Sequence, residues 1–184
     1  MDGSNDDLNQ LHALLVDKSV KRGDFTLASG KKSSYYVDAR LTTMSGRGQV
    51  LIGRLGLAMI DFAGWKPMAV GGLTLGADPI AYAIAHAATL AGRSLDAFTV
   101  RKEAKAHGAG KLIEGGFAAE MPVVIVEDVI TTGDSALRAA ASVTDAGGVV
   151  LGVLAVVDRE EGGRERIEAA GYAVHSLSKV SLLL

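Results

Sequence analysis

The stretch VVLGVLAVVD, residues 149–158, is apolar from its first residue to its last but one. A strand with one wet face alternates apolar and polar side chains, whereas an unbroken apolar run needs cover on both faces. PVVIVE at 122–127 has the same character, and PMAVGGL at 67–73 is a shorter version ending in glycine. Segments of helical character separate these runs. DPIAYAIAHAATLAG, 78–92, is alanine-rich with an acidic start and a glycine stop; 134–146 ends at Gly147 and Gly148; GRERIEAA occupies 163–170. LDAFTVRK at 95–102 and YAVHSL at 172–177 read as two further strands. Strand and helix in alternation predict an α/β fold, a mostly parallel central sheet with helices on both faces and right-handed crossovers. In such sheets ligands bind beyond the carboxyl ends of the strands, so the informative residues should lie just after the apolar runs.

The N-terminal part is less regular. Ser4-x-x-Asp7 reads as a capping box, and Leu8, Leu11 and Leu15 follow at helical spacing, which predicts a helix ending near Lys18. FTLASGKKSSYYVDAR, 25–40, is basic and turn-rich with strand-like ends, and residues 46–64 read as a helix despite internal glycines. EAKAHGAGKLIEGG, 103–116, reads as a long polar loop. Nothing resembles a linker, so residues 1–184 are expected to form one domain. A net charge of −2 gives no bulk electrostatic reason to expect nucleic acid. The chain has no cysteine, which excludes disulfides and thiolate chemistry. Its start is acidic, unlike a secretory leader, and its longest apolar stretch, about 146–157, is broken by glycines and too short to span a bilayer. The expectation is a cytoplasmic protein without a membrane anchor. His12, His86, His175 and Trp65 are read as structural.

VVIVEDVITTGDSA, 123–136, places two adjacent carboxylates after an apolar run. The strand is expected to end at Glu127, residues 128–133 to turn, and a helix to begin near Asp134 or Ser135. A helix start offers unpaired N–H groups and partial positive charge. Thr131, Thr132 and Ser135 add hydroxyls, and Gly133 permits close backbone approach, which together describe a phosphate cradle. Neither G-x-x-x-x-G-K-[ST] nor G-x-G-x-x-G occurs after a strand. Two acids beside a phosphate cradle need partners other than phosphate, and vicinal sugar hydroxyls supply them by donating to carboxylates. The ligand class read from these residues is a sugar phosphate.

VVIVEDVITTGDS resembles the phosphoribosyl-diphosphate signature of the type I phosphoribosyltransferases. The resemblance implies that family's fold with a small N-terminal hood over residues 1–45. It implies that Glu127 and Asp128 bind the ribose hydroxyls and that residues Thr131, Thr132, Gly133, Asp134 and Ser135 hold the 5-phosphate, with Val129 and Ile130 completing the contact. VRKEAKAHGAGKLIEG, 100–115, resembles the catalytic loop of the orotate branch of the family, and residues 25–36 and VVDREEGG, 156–163, match two more of its segments in the same order. That resemblance implies transfer of a phosphoribosyl group to orotate, giving orotidine 5'-monophosphate and diphosphate in pyrimidine biosynthesis. It implies that Arg101, Lys102, Lys105, His107 and Lys111 face the diphosphate, with Lys105, His107 and Asp128 catalytic, and that Gly71 and Gly72 form a turn offering N–H groups to the diphosphate. Arg159, Tyr35, Tyr36 and Thr131 are then the orotate contacts. Magnesium is implied as well, held mainly through the substrate with no direct protein ligand, as is a homodimer whose loop at 103–116 reaches into the neighbouring site.

Two lysines that several relatives carry are absent here, where Ala28 stands and in the loop spanning 71–79; Lys31 or Lys32 are the cations nearest in sequence to the first. A purine-specific phosphoribosyltransferase would keep the 127–135 signature without needing the basic loop in this form. A regulator that senses phosphoribosyl diphosphate would keep the signature and lose loop cations, whereas Lys105 and His107 are retained.

Overall fold

The computed structural model describes residues 2–26, 32–103 and 112–184. Ala28, Lys31, Lys105, His107 and Lys111 lie outside the described residues. The chain opens with helix α1 (Asp2–Lys18), followed by an antiparallel hairpin, β1 (Val20–Thr26) and β2 (Lys32–Val37). A short helix α2 (Arg40–Thr43), not anticipated from sequence, leads into α3 (Gly46–Phe62). The central part runs β3 (Ala69–Leu73), α4 (Asp78–Leu90), β4 (Asp96–Val100), β5 (Ile113–Gly115), β6 (Pro122–Ile130), α5 (Asp134–Asp145), β7 (Val149–Asp158), α6 (Gly163–Ala169) and β8 (Val174–Lys179), closed by a single 3-10 turn at Val180–Leu182.

The central sheet has the order β5-β4-β3-β6-β7-β8. All neighbours pair in parallel except β5, which returns antiparallel on β4. The α/β expectation holds. The apolar runs are buried from both sides: α1, α3 and α4 build one core on one face, with Leu11, Leu15, Ile52 and Ile84 fully buried, and α5 and α6 build the other around Ala139, Val143 and Ile167. The internal glycines of α3 are close-packing residues. A Cβ at Gly53 would sit 2.5 Å from the Ala83 carbonyl oxygen and one at Gly56 2.6 Å from Ile84 Cδ1, so α3 lies directly against α4. No helix among the described residues is long and apolar enough to cross a membrane.

Three sequence expectations need correction. First, β6 does not stop at Glu127; it continues through Ile130, with Glu127 opposite Ala155, Val129 opposite Val157 and Ile130 opposite Asp158. The apolar Val129 and Ile130 carry the strand past the two acids. Second, Gly71 and Gly72 form no turn. Both are buried inside β3, opposite Phe98 and Thr99, where a Cβ would overlap the Phe98 or the Val126 carbonyl oxygen. Third, 103–116 is not loop throughout: Ile113–Gly115 forms β5, with Gly115 in the left-handed region at φ +96°.

Candidate active site

Switching strand order opens a crevice at the carboxyl ends of β3 and β6, since the chain passes from β3 outward to β4 and then back to β6 on the other side. Glu127 and Asp128 lie at this end of β6. Val123, Val124, Ile125 and Val126 before them are all fully buried. Each such side chain adds about 1.5–3 kcal/mol, an anchor strong enough to hold a pair of acids where the chain would otherwise avoid them.

The two carboxylates are not equivalent. Glu127 is 6% exposed, and its Oε2 is buried without a hydrogen-bond partner. Burial pushes its carboxyl well above the ordinary value of 4.5, and the neighbouring Asp128 charge pushes in the same direction. Asp128 is half-buried, and its Oδ1 accepts the Val129 N–H at 2.9 Å. A paired acid beside an acid strained toward its neutral form is the sort of arrangement that marks a binding site.

After Ile130 the chain turns through Thr131, Thr132 and Gly133 into α5. Gly133 is the N-cap, with φ +79° in the left-handed region and no side chain of its own to cap the helix; the Asp134 N–H is met by Thr132 Oγ1 at 3.4 Å. The remaining first-turn N–H groups point out along the helix axis toward a cavity of about 100 Å³ lined by Glu127 and residues 129–136. The back wall of this cradle is α6: a Cβ at Gly163 would lie 2.5 Å from the Thr131 carbonyl oxygen, and one at Gly133 2.9 Å from the Gly163 carbonyl oxygen. Asp134 would repel an anion here, but its Oδ2 accepts from Thr132 Oγ1 at 2.8 Å and its Oδ1 meets Arg166 Nη1 at 2.5 Å. The Thr132 hydroxyl first, then Arg166, lowers its carboxyl below the ordinary range. Arg166 also donates to the Thr132 carbonyl at 3.2 Å, and so neutralises the rim; sequence reading missed it because it sits on a separate helix.

Opposite the cradle, the turn at 74–77 lies on Asp128. A Cβ at Gly76 would be 2.7 Å from Asp128 Oδ1. Asp78 fixes this turn: its Oδ2 accepts from Thr74 Oγ1 at 2.6 Å and its Oδ1 from Thr99 Oγ1 at 2.8 Å, tying the turn to β4. Gly76 and Asp78 were also missed, and the loop at 71–79 gave no signal beyond its glycines. Past β4, Arg101 and Lys102 border an open cleft of about 770 Å³ that includes Thr74, Thr99 and Glu114. Arg101 Nη1 pairs with Glu114 Oε1 at 3.3 Å, and the Lys102 carbonyl accepts from Arg138.

On the other side of β6, Arg159 follows β7 directly, and its N–H donates to the Ile130 carbonyl at 2.9 Å. Its side chain is 7% exposed, its guanidinium carbon lies 5.2 Å from the centre of the Tyr35 ring, and Nη2 stands 2.7 Å from Glu161 Oε1. Adjacent strand residues point to opposite faces, so Tyr36 instead packs beside Phe25, ring centres 5.8 Å apart. The structure brings Tyr35, not Tyr36, to Arg159. Arg40, bound through both arms to Asp38 at 2.9 and 3.0 Å, lies within reach of the Asp128 charge and adds a cation that the sequence reading had not assigned. Glu127, Asp128, the 131–135 cradle, Arg159 and Tyr35 thus converge at one end of the sheet, while Lys105 and His107 lie outside the described residues.

The arrangement suits a sugar phosphate with a planar acid beside it: a helix start for phosphate, two acids for hydroxyls, a guanidinium with unmet N–H donors for a carboxylate. No family model matches the chain. Among curated relatives, the orotate phosphoribosyltransferase of Mycobacterium avium is 50% identical over 171 residues, 93% of each chain, and that of Aquifex aeolicus 47% identical over 178 residues, 95% of this chain and 96% of the other. The structure of Mycobacterium tuberculosis orotate phosphoribosyltransferase in complex with 5-phospho-alpha-D-ribosyl 1-diphosphate matches with a TM-score of 0.82 at 46% identity, covering 96% of this chain and 98% of that one. An adenine phosphoribosyltransferase from Leishmania tarentolae, 15% identical with a TM-score of 0.64, shares the fold. With half of its residues shared along nearly its whole length, this chain belongs to the orotate phosphoribosyltransferase family.

Proposed function

We infer that this chain transfers the phosphoribosyl group of 5-phosphoribosyl 1-diphosphate to orotate, releasing diphosphate and forming orotidine 5'-monophosphate for pyrimidine biosynthesis. The observation that carries the reading is the pairing of a buried, incompletely bonded Arg159 with a glycine-capped helix start one strand away. In this reading the 5-phosphate rests on the N–H groups at the start of α5 and on Thr131, Thr132 and Ser135. Glu127 and Asp128 accept from the ribose hydroxyls. Tyr35 faces the pyrimidine ring, and Arg159 takes the orotate carboxylate through two parallel hydrogen bonds. The ring nitrogen of orotate gives up its proton to the departing diphosphate or to solvent and bonds to the anomeric carbon as the bond from that carbon to the diphosphate oxygen breaks, that bond's electron pair leaving with the diphosphate. Holding both reactants in line removes much of the entropic barrier. Arg101, Lys102, Lys105, His107 and Lys111 are the cations assigned to the leaving charge, by resemblance to the family's loop.

Magnesium fits this chemistry. Glu127 Oε2, buried without a partner, and the adjacent Asp128 carboxylate place negative charge beside the substrate oxygens, and since no group of three or more acidic or imidazole ligands lies together among the described residues, the ion would be held mainly through the substrate. Bound with the diphosphate, the ion would offset the charge that grows on the leaving group. We further assign the enzyme to the cytoplasm and to a homodimer in which the 103–116 segment serves the neighbouring site.

The test is a spectrophotometric assay of orotate loss with phosphoribosyl diphosphate and magnesium, run beside adenine and hypoxanthine. Loss of orotate with no turnover of the purines supports the reading. The reverse pattern would make this a purine enzyme, and phosphoribosyl diphosphate binding with no turnover of any base a sensor. Mixing Lys105→Ala with Arg159→Ala protein tests the shared site. Hybrid dimers should restore roughly a quarter of wild-type activity by the symmetry count, and no recovery despite proven subunit exchange would place the loop in its own subunit.

A further inference from the structure

Arg159 is almost fully buried, yet neither Nε nor Nη2 makes a hydrogen bond. Glu161 Oε1 stands 2.7 Å from Nη2, but its direction fails hydrogen-bond geometry, so the contact is an ion pair without alignment. Buried guanidinium groups ordinarily saturate their N–H donors, and a bidentate carboxylate is their best partner. Glu161 offers one oxygen from an exposed residue whose side chain retains 28% of its surface. The same oxygen lies 3.5 Å from the Tyr35 hydroxyl, so one carboxylate touches both groups assigned to the base. Glu160, directly before it, has φ +58° and accepts the Ser181 N–H at 2.9 Å, while Asp158 Oδ1 accepts the Glu160 N–H at 2.8 Å. The residue that leads into Glu161 is therefore held by two hydrogen bonds, and Glu161 is presented from an anchored turn.

We propose that Glu161 is a positioning and selectivity residue: an internal carboxylate that holds Arg159 in place while the base site is empty and that a carboxylate-bearing base must displace. The inference rests on the assignment of Arg159 to the orotate carboxylate. An incoming carboxylate aligned with Nε and Nη2 exchanges one misdirected contact for two directed ones. A pyrimidine lacking a carboxylate has nothing to exchange, so the Arg159–Glu161 pair stays closed across the base site and disfavours it. Selectivity then arises from a competitor built into the protein as well as from attraction.

Glu161→Gln removes the competing charge and keeps the shape. The KM for orotate at saturating phosphoribosyl diphosphate should fall roughly three- to tenfold, the scale of a partly exposed ion pair, without a parallel fall in the KM for phosphoribosyl diphosphate. The preference for orotate over uracil as inhibitor should change, because uracil no longer meets a closed pair. Glu161→Asp, which retains the charge, should return the KM for orotate toward wild type. A KM for orotate that rises or stays unchanged in Glu161→Gln overturns the proposal, a rise meaning that Glu161 only orients Arg159. Arg159→Ala separates the two claims. If that variant keeps the wild-type KM for orotate, the base assignment itself fails; if it loses orotate while Glu161→Gln gains nothing, only the role of Glu161 falls.

Discussion

Replacing Glu127 by glutamine should stabilise the free protein while weakening its substrate. The carboxylate is 6% exposed, one oxygen has no partner, and Asp128 stands beside it. Leaving a buried polar group unsatisfied costs about 1–3 kcal/mol, more when it is charged. Glutamine keeps the shape, drops the charge and can donate an N–H toward Asp128. A gain of about 2 kcal/mol at alkaline pH corresponds to roughly 4–8 °C in Tm for a domain of this size. The sign with pH follows from the direction of the shift. The folded-state value lies above the ordinary 4.5, so the wild-type carboxyl contributes its full stability below that value and loses it as pH rises through the raised one. The lowered carboxyls of Asp38, Asp134 and Glu160 are common to both proteins and cancel in the difference. Urea or thermal unfolding from pH 5 to 9 is the assay, and the gap between the two proteins should open with rising pH. Loss of the ionised acceptor should cost about 1.5–3 kcal/mol in phosphoribosyl diphosphate binding, a drop of roughly 10- to 100-fold by calorimetry. A gap that is constant with pH, or a variant less stable at pH 9, would refute the claim that burial strains Glu127.

Gly133→Val should abolish measurable phosphoribosyl diphosphate binding, since it forces a branched residue into the left-handed region at about 1–2 kcal/mol and drives its Cβ toward the Gly163 carbonyl 2.9 Å away; calorimetry showing native affinity in a folded variant would move the cradle elsewhere. Gly76→Ala should displace Asp128, whose Oδ1 would be 2.7 Å from the new Cβ, and lower kcat/KM at least tenfold with little change in Tm; unaltered kinetics would mean that the 74–77 turn yields freely. Asp78→Ala removes both hydroxyl bonds between the turn and β4 and should cost about 2–4 kcal/mol by urea unfolding, with Asp78→Asn recovering part of it; equal effects of the two substitutions would show that the bonds do not hold the turn.

Much of the site was legible because it is local. Glu127 through Ser135 are consecutive, so strand, acids, glycine and helix start could be read together. The error there was one of extent: adjacent acids look like the end of a strand, yet Val129 and Ile130 keep pairing with β7. Gly71 and Gly72 misled for the opposite reason. Glycine signals a turn in sequence, but here it answers to the Phe98 and Val126 carbonyls, which only the assembled sheet brings near. Arg166 acts on Asp134 and Thr132, Arg40 on the Asp128 charge and Asp78 on Thr99, each in another element, and no spacing rule connects these pairs. Alternation along β2 separated Tyr35 from Tyr36 once the strand was known, a distinction that two adjacent tyrosines in a turn-rich segment do not carry.

The two halves of the site differ in how they are wired into the chain. The cradle is one uninterrupted segment between the buried strand β6 and α5, whereas Tyr35 and Glu161 are 126 positions apart and meet only where the two-stranded hairpin touches the end of β7. A two-stranded ribbon outside the main sheet is marginal by itself, and regions with few buried contacts open before the rest of a domain does. On the proposed assignment, warming or mild denaturant should dismantle the two functions in sequence. Discrimination among bases should disappear with the hairpin, at a free energy below that of global unfolding, while the grip on the sugar phosphate should last until the core itself gives way.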